Sequence, residues 1–397
     1  MPDRDPSTPR VVHVVPSLNV AGGGPARSVM RLACAQQRLG VRVLVVTGDG
    51  GRSSGDDVAE YSGLDLEIRC CHHLPLPFEL PSRKMLRVLA GEIGGANLVH
   101  LHSLWNGTIT AAARCARRSG VPYVISPRGM LDPEAIRQKQ TMKRIYRALV
   151  DRPTSNAAAG FHFLTPDERD TAVWPPLAGQ RTAVIPNGIE VDAVQRAARS
   201  FSPSLFTEGG PNLLFLGRLH VSKGLALQLD ALRLLKDKGI DARLLFVGPD
   251  EGEAARLRRL AREAGVDERV NILAPVYSDQ RFALLKGADC VLLTSHFEGN
   301  SVSAMETMAV GGLLVATDTT HLDEAARHGA AVLIGRDAEA LADAVTRVLQ
   351  TPRFGQSVRE QAVEYARSKL ESAVIARRML SFYDEVLATA CAAGAHA

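Results

Sequence analysis

The feature that most constrains the fold is a repeated alternation of short apolar runs with longer helical patterns. The runs are rich in Val, Ile and Leu, and most are separated from the next run by a helical segment. Apolar runs of this kind are typical of strands that are buried on both faces, and intervening helices favour parallel pairing. The pattern therefore predicts an α/β protein in which helices cover both faces of parallel sheets.

Two such series follow one another along the chain. Strands of the first are predicted at residues 11–15, 41–47, 66–70, 97–102, 122–126, 160–164 and 182–185. Strands of the second are predicted at residues 212–216, 243–247, 270–273, 290–294, 313–317 and 332–334. The polar piece between them reads as a linker. We expect a disordered start (1–9), an N-terminal domain (10–195), a linker (196–211), a C-terminal domain (212–356) and a helical tail (357–397) that packs across the domain junction.

Length and composition agree with this organisation. At 397 residues, with 46% hydrophobic and 23% charged residues, the chain can bury two separate cores. A formal charge of +4 falls short of a nucleic-acid-binding profile, so no nucleic-acid partner is expected. Six scattered cysteines, no secretory pattern at the start and no apolar run of about 18 residues predict a cytoplasmic protein in a reduced compartment.

A glycine-rich loop, PSLNVAGGGP (16–25), joins the first strand to the first helix. Its glycines would let the backbone approach a ligand, and the following helix start favours a phosphate. The loop is neither G-x-G-x-x-G nor a Walker A sequence, which disfavours a nicotinamide or flavin site and a nucleotide-hydrolase site. We expect ligand contact at Gly23 and Gly24, and the alternative is a flexible connecting turn.

A second loop, FLGRLHVSKG (215–224), leaves the end of a predicted strand with two cations. Arg218 offers a planar fork and Lys223 a point charge, so the two could converge on one anion. The alternative is a pair of solvated loop cations.

A third stretch, DCVLLTSHFEGNSVSAMETMAVGG (289–312), reads as strand, loop and helix and carries Glu298 and Glu306. The carboxyl ends of parallel strands bind ligands, and carboxylates can accept hydrogen bonds from sugar or ribose hydroxyls. The helix start offers unpaired N–H groups to an anion. Two other interpretations stay open: Ser303 and Glu306 fit a capping box, and Glu298 fits an ordinary acidic residue before a helix.

Two further segments admit functional interpretations. The basic segment RQKQTMKRIYRALVDR (137–152) includes Arg137, Lys143, Arg144 and Arg147. It fits a solvated amphipathic helix, or a surface for an anionic membrane or a lipid-diphosphate acceptor. The run Cys-Cys-His-His at residues 70–73 suggests zinc, but adjacent residues cannot supply the usual ligand spacing.

Together these motifs resemble the retaining GT-B glycosyltransferases of family 4 (group 1). The glycine loop, Arg218 with Lys223, and the two acids separated by seven residues carry the resemblance. Supporting stretches are VHLHSLW (99–105), SPRGML (126–131), VIPNGI (184–189), VGP (247–249) and LLTSHFEG (292–299). The resemblance implies two tandem Rossmann-like domains with the active site in the cleft between them.

The resemblance also implies a role for each candidate residue. Arg218 and Lys223 would hold the diphosphate of a UDP- or GDP-sugar, Glu298 the hydroxyls of the transferred sugar, and Glu306 the ribose. The other implied donor contacts are Gly23, Gly24, His102, Gly248, Gly299, Asn300, Ser301 and Val302. Of these residues, Glu298, Lys223, Arg218 and His102 would act in catalysis. Arg128, Arg137, Lys143, Arg144 and Arg147 would lie on the acceptor or membrane side.

The implied activity is retaining, metal-independent sugar transfer to a carbohydrate or lipid-linked acceptor, in bacterial surface polysaccharide assembly at the inner face of the plasma membrane. No cofactor and no metal are expected. Where the family has E-G-F-G, this chain has E-G-N-S (298–301), and Gly312-Leu313 stands where the family has x-P. The first departure bears on sugar choice. Two rivals stay open: a sugar-nucleotide epimerase with the same fold, and a non-catalytic partner subunit.

Overall fold

A computed structural model describes residues 9–18, 24–48, 66–74, 79–131, 152–172, 180–200, 205–206, 209–276 and 279–394. The chain divides into two compact units. The first unit comprises Met1–Gly188 and Ser372–Ala397, and the second comprises Ile189–Glu371. The division after Gly188 precedes the predicted boundary at residue 195, because the helix Val191–Ser200 packs with helices of the second unit.

The first unit contains one seven-stranded sheet in the order β3-β2-β1-β4-β5-β6-β7. Every strand pairing in it is parallel. The strands are β1 (Arg10–Val15), β2 (Arg42–Thr47), β3 (Glu67–Cys70), β4 (Leu98–His102), β5 (Tyr123–Ser126), β6 (Gly160–Phe163) and β7 (Arg181–Val184). The described helices are Gly24–Arg38, Arg83–Ile93, Gly107–Arg118, Arg152–Asn156, Pro166–Asp170 and Ser372–Gly394.

The two faces of this sheet bury different residues of the same strands. On β1, Val11 and Val15 join one core while Val12 and Val14 join the other. This follows from the two-residue period of a strand. The first of these faces also receives His13, which shares the parity of Val11 and Val15. Polar residues at alternate positions of β1, β4, β5 and β6 thus share one buried face.

The second unit contains a six-stranded sheet in the order β10-β9-β8-β11-β12-β13, also parallel throughout. Its strands are β8 (Asn212–Leu216), β9 (Arg243–Val247), β10 (Val270–Leu273), β11 (Cys290–Leu293), β12 (Leu314–Thr317) and β13 (Val332–Ile334). Its described helices are Val191–Ser200, Ala226–Asp237, Ala254–Glu263, Gln280–Gly287, Val302–Val310, Asp323–Arg327, Ala338–Gln350 and Pro352–Tyr365, with a π-helix at Ala366–Leu370.

The C-terminal segment contributes to both units in turn. The helix Pro352–Tyr365 and the π-helix belong to the second unit, and the chain passes to the first unit at Ser372. The helix Ser372–Gly394 then adds six buried side chains to a core of the first unit: Ile375, Ala376, Met379, Phe382, Tyr383 and Val386. The described helices include none whose length and hydropathy would let it span a bilayer.

The core position of Met379 gives a test of this late contribution. Met379 is fully buried, so Met379→Ala removes a large apolar side chain and leaves a cavity. We expect a loss of about 2–5 kcal/mol in the free energy of unfolding of the first unit, measured by urea denaturation. The control Met379→Leu keeps the volume and is expected to cost less than about 1.5 kcal/mol. Equal stability of the wild type and Met379→Ala would contradict the packing of this helix.

Candidate functional site

In the second unit, the loops that follow β8 and β11 meet through one ion pair. Lys223 Nζ lies 2.5 Å from Glu298 Oε1, and the two side chains are only 16% and 12% exposed. The same carboxylate oxygen accepts a hydrogen bond from Ser295 Oγ at 2.7 Å. Two residues selected separately from the sequence are therefore in direct contact.

Hydrogen bonds to backbone carbonyl groups join these two loops to each other. His296 N donates to Ser222 O at 2.8 Å, and Thr294 Oγ1 donates to Lys223 O at 3.1 Å. Gly224 has φ +61°, and a Cβ there would lie 2.2 Å from Thr294 O. Glycine is therefore required after Lys223, because any side chain would push the two loops apart.

Arg218 makes a separate contact near the end of the neighbouring strand β9. Its Nη1 lies 2.9 Å from both carboxylate oxygens of Glu251. This pair is more exposed than that of Lys223, at 52% for Arg218 and 37% for Glu251. Gly248 lies at the same edge, where a Cβ would be 1.9 Å from Gly217 O. Glu251 was not predicted from the sequence.

Glu306 is buried rather than presented to solvent. It is 3% exposed, and Arg281, which is 5% exposed, donates to it from Nε at 3.3 Å. A second contact joins Arg281 Nη2 to Glu306 Oε1 at 3.3 Å. The capping-box alternative for Ser303 and Glu306 is wrong, because the N-cap of this helix is Ser301, whose Oγ accepts from Ala304 N at 3.3 Å.

The start of the helix Val302–Val310 has the geometry expected of an anion-binding turn. Ser301 has extended backbone and Val302 begins the helix, with no acidic residue in the first turn. A Cβ at Gly299 would meet nothing within 4 Å, so the chain there borders open space. A helix N-terminus favours negative charge, which suits a phosphate or a polarised hydroxyl.

In the first unit, His102 lies in a buried polar network. His102 is fully buried, its Nε2 lies 2.8 Å from His13 Nδ1, and its Nδ1 lies 3.2 Å from Arg128 Nη2. Both ring nitrogens thus have partners within this unit. Contact between His102 and a donor sugar stays a prediction, and it would require a change at one of these bonds.

The network continues from His13 through six further groups. His13 Nε2 contacts Gln36 Oε1 at 2.8 Å, and Gln36 Nε2 donates to the Tyr383 hydroxyl at 3.3 Å. Tyr383 contacts His100 Nδ1 at 2.5 Å, and His100 Nε2 contacts Ser126 Oγ at 2.6 Å. The network ends with two further contacts: Ser126 Oγ lies 2.6 Å from His162 Nδ1, and His162 Nε2 lies 2.7 Å from Ile185 O.

The two ends of this network fix the direction of every bond in it. Arg128 can only donate and the Ile185 carbonyl can only accept. Starting at Arg128, each neutral imidazole accepts a hydrogen bond at Nδ1 and donates one from Nε2. The Gln36 amide and the two hydroxyls likewise accept from the preceding group and donate to the next. The network therefore assigns the Nε2–H tautomer to His13, His100, His102 and His162.

Burial keeps these four rings neutral. It lowers the pKa of His13 to about 4 and that of His162 to about 3, although Gln36 and the Ile185 carbonyl oppose the shift. Burial also holds the pKa values of His100 and His102 well below their ordinary range, and the charge of Arg128 acts in the same direction. Neutral rings are what the continuous donor direction requires.

Three of these histidines could in principle hold a metal ion. Nitrogens of His13, His100 and His102 lie within 4.8 Å of one another. Each ring nitrogen already has a hydrogen-bond partner, however, and the Arg128 cation lies beside His102. The donor set therefore suits a hydrogen-bonded network better than a cation.

The Cys-Cys-His-His run (70–73) is a separate segment. There the two ring nitrogens of His73 have hydrogen-bond partners, Pro16 O at 3.1 Å and Thr108 Oγ1 at 3.3 Å.

Sequence reasoning selected His102 and Arg128 but missed the rest of this network. A signal was present, because histidine replaces an apolar residue at an inward position in V-H-V of β1, V-H-L-H of β4 and F-H-F of β6. Gln36 and Tyr383 gave no such signal, since each lies on a helix away from the strand that carries its histidine partner.

Five of the predicted site residues fall outside the described residues: Gly23, Arg137, Lys143, Arg144 and Arg147. Gly24 is described and begins the helix Gly24–Arg38.

Two family models match the chain, and each falls largely within one unit. The glycosyl transferase 4-like domain matches residues 23–188, and the glycosyl transferases group 1 model matches residues 198–369. These matches and the parallel sheets agree with the predicted arrangement of two α/β domains.

Two relatives and one solved structure are similar to between 45% and 95% of the chain. GDP-mannose:cellobiosyl-diphosphopolyprenol alpha-mannosyltransferase of Xanthomonas oryzae pv. oryzae is 26% identical over 350 residues, which cover 85% of this chain and 86% of that protein. D-inositol 3-phosphate glycosyltransferase of Corynebacterium efficiens is 30% identical over 187 residues, which cover 45% of this chain and 44% of that protein.

A solved structure has the same fold. The crystal structure of Anabaena Alr3699/HepE in complex with UDP has a TM-score of 0.73 at 17% identity, covering 95% of this chain and 100% of that one. The predicted GT-B fold is confirmed.

The histidine network predicts a specific dependence of stability on pH. In the unfolded chain, each ring binds a proton below about pH 6.5, whereas folded His13 binds one only near pH 4. Between these pH values the unfolded state binds more protons, so the free energy of unfolding is expected to fall as the pH is lowered. Urea denaturation from about pH 7 to about pH 4 measures this loss. Nitrogen-15 NMR of labelled histidine should show neutral Nε2–H rings; protonation of these four rings above pH 6 would contradict the network.

Proposed function

Because this chain belongs to the group 1 glycosyltransferases of family 4, which have the GT-B fold, we propose that it is a retaining, metal-independent sugar transferase. Its donor is a nucleotide-diphosphate sugar and its acceptor a carbohydrate or a lipid-linked saccharide. The transferase class follows from the family; the stereochemistry, the independence of metal and the acceptor class are parts of this proposal.

The observation that carries the proposal is the Lys223–Glu298 pair. It joins the loops at the carboxyl ends of two adjacent strands, β8 and β11, inside the part of the chain that the group 1 model matches. Ligands of open α/β sheets bind at this edge. A cation and a carboxylate held together there can bind two parts of a nucleotide sugar: the cation binds the diphosphate, and the carboxylate accepts hydrogen bonds from sugar hydroxyls.

The donor contacts would then divide among the residues of this edge. Arg218 and Lys223 would bind the diphosphate, with Arg218 exchanging its bond to Glu251 for one to phosphate. Glu298 would accept from hydroxyls of the transferred sugar. Glu306 would accept from the ribose while Arg281 holds its carboxylate in place. The remaining donor contacts proposed here are Gly23, Gly24, His102, Gly248, Gly299, Asn300, Ser301 and Val302.

The proposed chemistry needs no protein nucleophile. The acceptor hydroxyl would attack on the same face from which the nucleotide leaves, and the leaving phosphate would help to remove the acceptor proton. Arg218 and Lys223 would stabilise the negative charge that builds on the leaving diphosphate, a contribution that preorganised cations commonly make. The same two cations would take the part that a metal ion plays in other transferases, which is the basis for proposing metal independence.

We assign the acceptor to the first unit, as the family resemblance implies, and most of the proposed donor residues lie in the second unit. The Xanthomonas relative is named for a diphosphopolyprenol-linked acceptor and the Corynebacterium relative for a phosphorylated inositol. These names support a saccharide or polyol acceptor, and we propose bacterial surface polysaccharide assembly as the setting. Contact with the inner face of the plasma membrane through the basic segment 137–152 is part of the same proposal.

Product stereochemistry tests the reaction type. The purified protein is incubated with UDP-, GDP- and ADP-sugars in EDTA, with and without saccharide acceptors, and the products are followed by proton NMR. We expect a glycoside whose anomeric configuration equals that of the donor, formed only when acceptor is present. Conversion of the donor alone to an isomeric sugar nucleotide would favour an epimerase. Absence of turnover with every donor would favour a non-catalytic subunit, and a strict need for added metal would contradict the metal-free mechanism.

Nucleotide affinity tests the assignment of the diphosphate. Lys223→Gln removes the cation yet can still donate a hydrogen bond to Glu298, so we expect the fold to persist while affinity for the productive nucleotide falls about tenfold to a hundredfold. Isothermal calorimetry with UDP, GDP and ADP measures it. The control Arg233→Gln removes another cation of the same unit, paired with Asp237 four residues away, and should leave affinity unchanged. Equal affinity in Lys223→Gln and the wild type would remove Lys223 from the site.

A further inference from the structure

Strained backbone marks the carboxyl ends of two central strands in the first unit. Ser103 (φ +97°) and Trp105 (φ +58°) follow β4, and Arg128 (φ +55°) follows β5. The two strands are neighbours in the sheet. Positive φ is unfavourable for residues with a Cβ and persists where the surroundings hold it, often at ligand sites. The three residues therefore single out one edge of the first unit.

Arg128 at this edge is a cation whose hydrogen-bond partners, in the part of the chain that the structure describes, are neutral groups. Its Nη1 donates to Asn187 Oδ1 at 3.3 Å and its Nη2 to His102 Nδ1 at 3.2 Å. Its Nε is buried without a hydrogen-bond partner among the described residues. A guanidinium has five N–H donors, so these two bonds leave donor capacity over. The residue keeps intermediate solvent exposure, so it is not sealed in the core.

The carboxylate that acts electrostatically on Arg128 is already engaged elsewhere. The negative charge of Glu168 raises the pKa of Arg128 and so favours its cationic form. The carboxylate oxygens of Glu168 have other partners, however: Oε1 accepts from Gly129 N at 2.5 Å and Oε2 from Leu164 N at 2.7 Å. No ion pair of Arg128 with a carboxylate is formed within the described ranges. A charge withdrawn from water is most stable when it is paired directly, and Glu168 stabilises the guanidinium only without a bond to it. Arg128 can therefore still accept a directly bonded anion.

The rest of the network cannot supply the missing negative charge. Its members are neutral imidazoles, hydroxyls and an amide, and their fixed direction presents a lone pair, not an anion, to Arg128. Burial lowers the pKa of Arg128 only to about 10, so the side chain stays a cation at neutral pH. The network thus orients a charged fork that has no directly bonded anion among the described residues.

We propose that Arg128 binds an oxyanion, a phosphate or carboxylate group, carried by the acceptor substrate. A guanidinium fork matches the two oxygens of such a group, and its unused N–H groups supply the donors. The assignment to the acceptor rests on the proposed function, which gives the donor diphosphate to Arg218 and Lys223 in the second unit. Arg128 would then select charged acceptors over neutral ones.

Inorganic phosphate is the probe for this site. The full chain carrying both Arg218→Gln and Lys223→Gln lacks the proposed donor cations, so phosphate binding that remains cannot depend on them. We expect phosphate to raise its thermal-unfolding midpoint relative to chloride at equal ionic strength. Adding Arg128→Gln should weaken the fitted phosphate affinity about tenfold or more, and Arg128→Lys should give an intermediate loss because it keeps charge without the fork.

A matched control and a second readout make the outcome decisive. Arg181→Gln removes an arginine of the same unit that bonds Thr389 and pairs with Glu385, and it should not change the phosphate affinity. In the wild type, phosphate should shift the nitrogen-15 resonance of His102 Nδ1, which accepts from Arg128. Unchanged phosphate affinity in Arg128→Gln would overturn the proposal; if that variant does not fold, an unmoved His102 resonance would do so.

Acetate in place of phosphate distinguishes the two sources of the oxyanion. A larger midpoint shift with phosphate than with acetate, lost in Arg128→Gln, supports a phosphorylated acceptor. The reverse order, lost in the same variant, supports an acidic sugar. Because the donor cations are absent from these proteins, failure here would leave the donor assignment untouched, and failure of nucleotide binding would leave this result standing.

Discussion

The carboxyl ends of parallel strands meet at one edge of a sheet, and this constraint determines which side chains of each unit can meet. In the second unit, β8 and β11 are neighbours, so Lys223 and Glu298 come into contact although 75 residues separate them. In the first unit, the adjacency of β4 and β5 brings His102 to Arg128. Strand order, and not proximity in sequence, therefore selects the pairs, as in other open α/β sheets.

The elements could be predicted closely because their signals are local. The strand predicted at residues 243–247 is Arg243–Val247, and the strand predicted at 290–294 is Cys290–Leu293. Ion-pair partners could not be predicted in this way. Arg218 with Glu251 and Arg281 with Glu306 depend on which strands lie side by side and on how the helices between them pack. Tyr383, which contacts His100 from 283 residues away, is the extreme case.

The candidate cations of the second unit differ in how firmly their partners are held. In the second unit Lys223, Arg218 and Arg281 each have a carboxylate partner. The Arg218 pair is exposed, so exchanging Glu251 for a phosphate should cost little, since such surface pairs contribute little. The buried pair of Arg281 and Glu306 is costly to break, because loss of one partner leaves the other as an unpaired buried charge. Glu306 is therefore a fixed acceptor, whereas Arg218 can change partners.

The direction of the buried network also limits what it can do chemically. A proton taken up at His102 Nδ1 could displace the Nε2 proton toward His13, and His13 could release its own Nε2 proton toward Gln36. The amide of Gln36 stops the relay there, because passing a proton on would require an imidic acid form. The same amide still transmits direction, since its oxygen accepts from His13 while its nitrogen donates to Tyr383. The network is therefore suited to orienting His102 and Arg128, and not to carrying protons across the core.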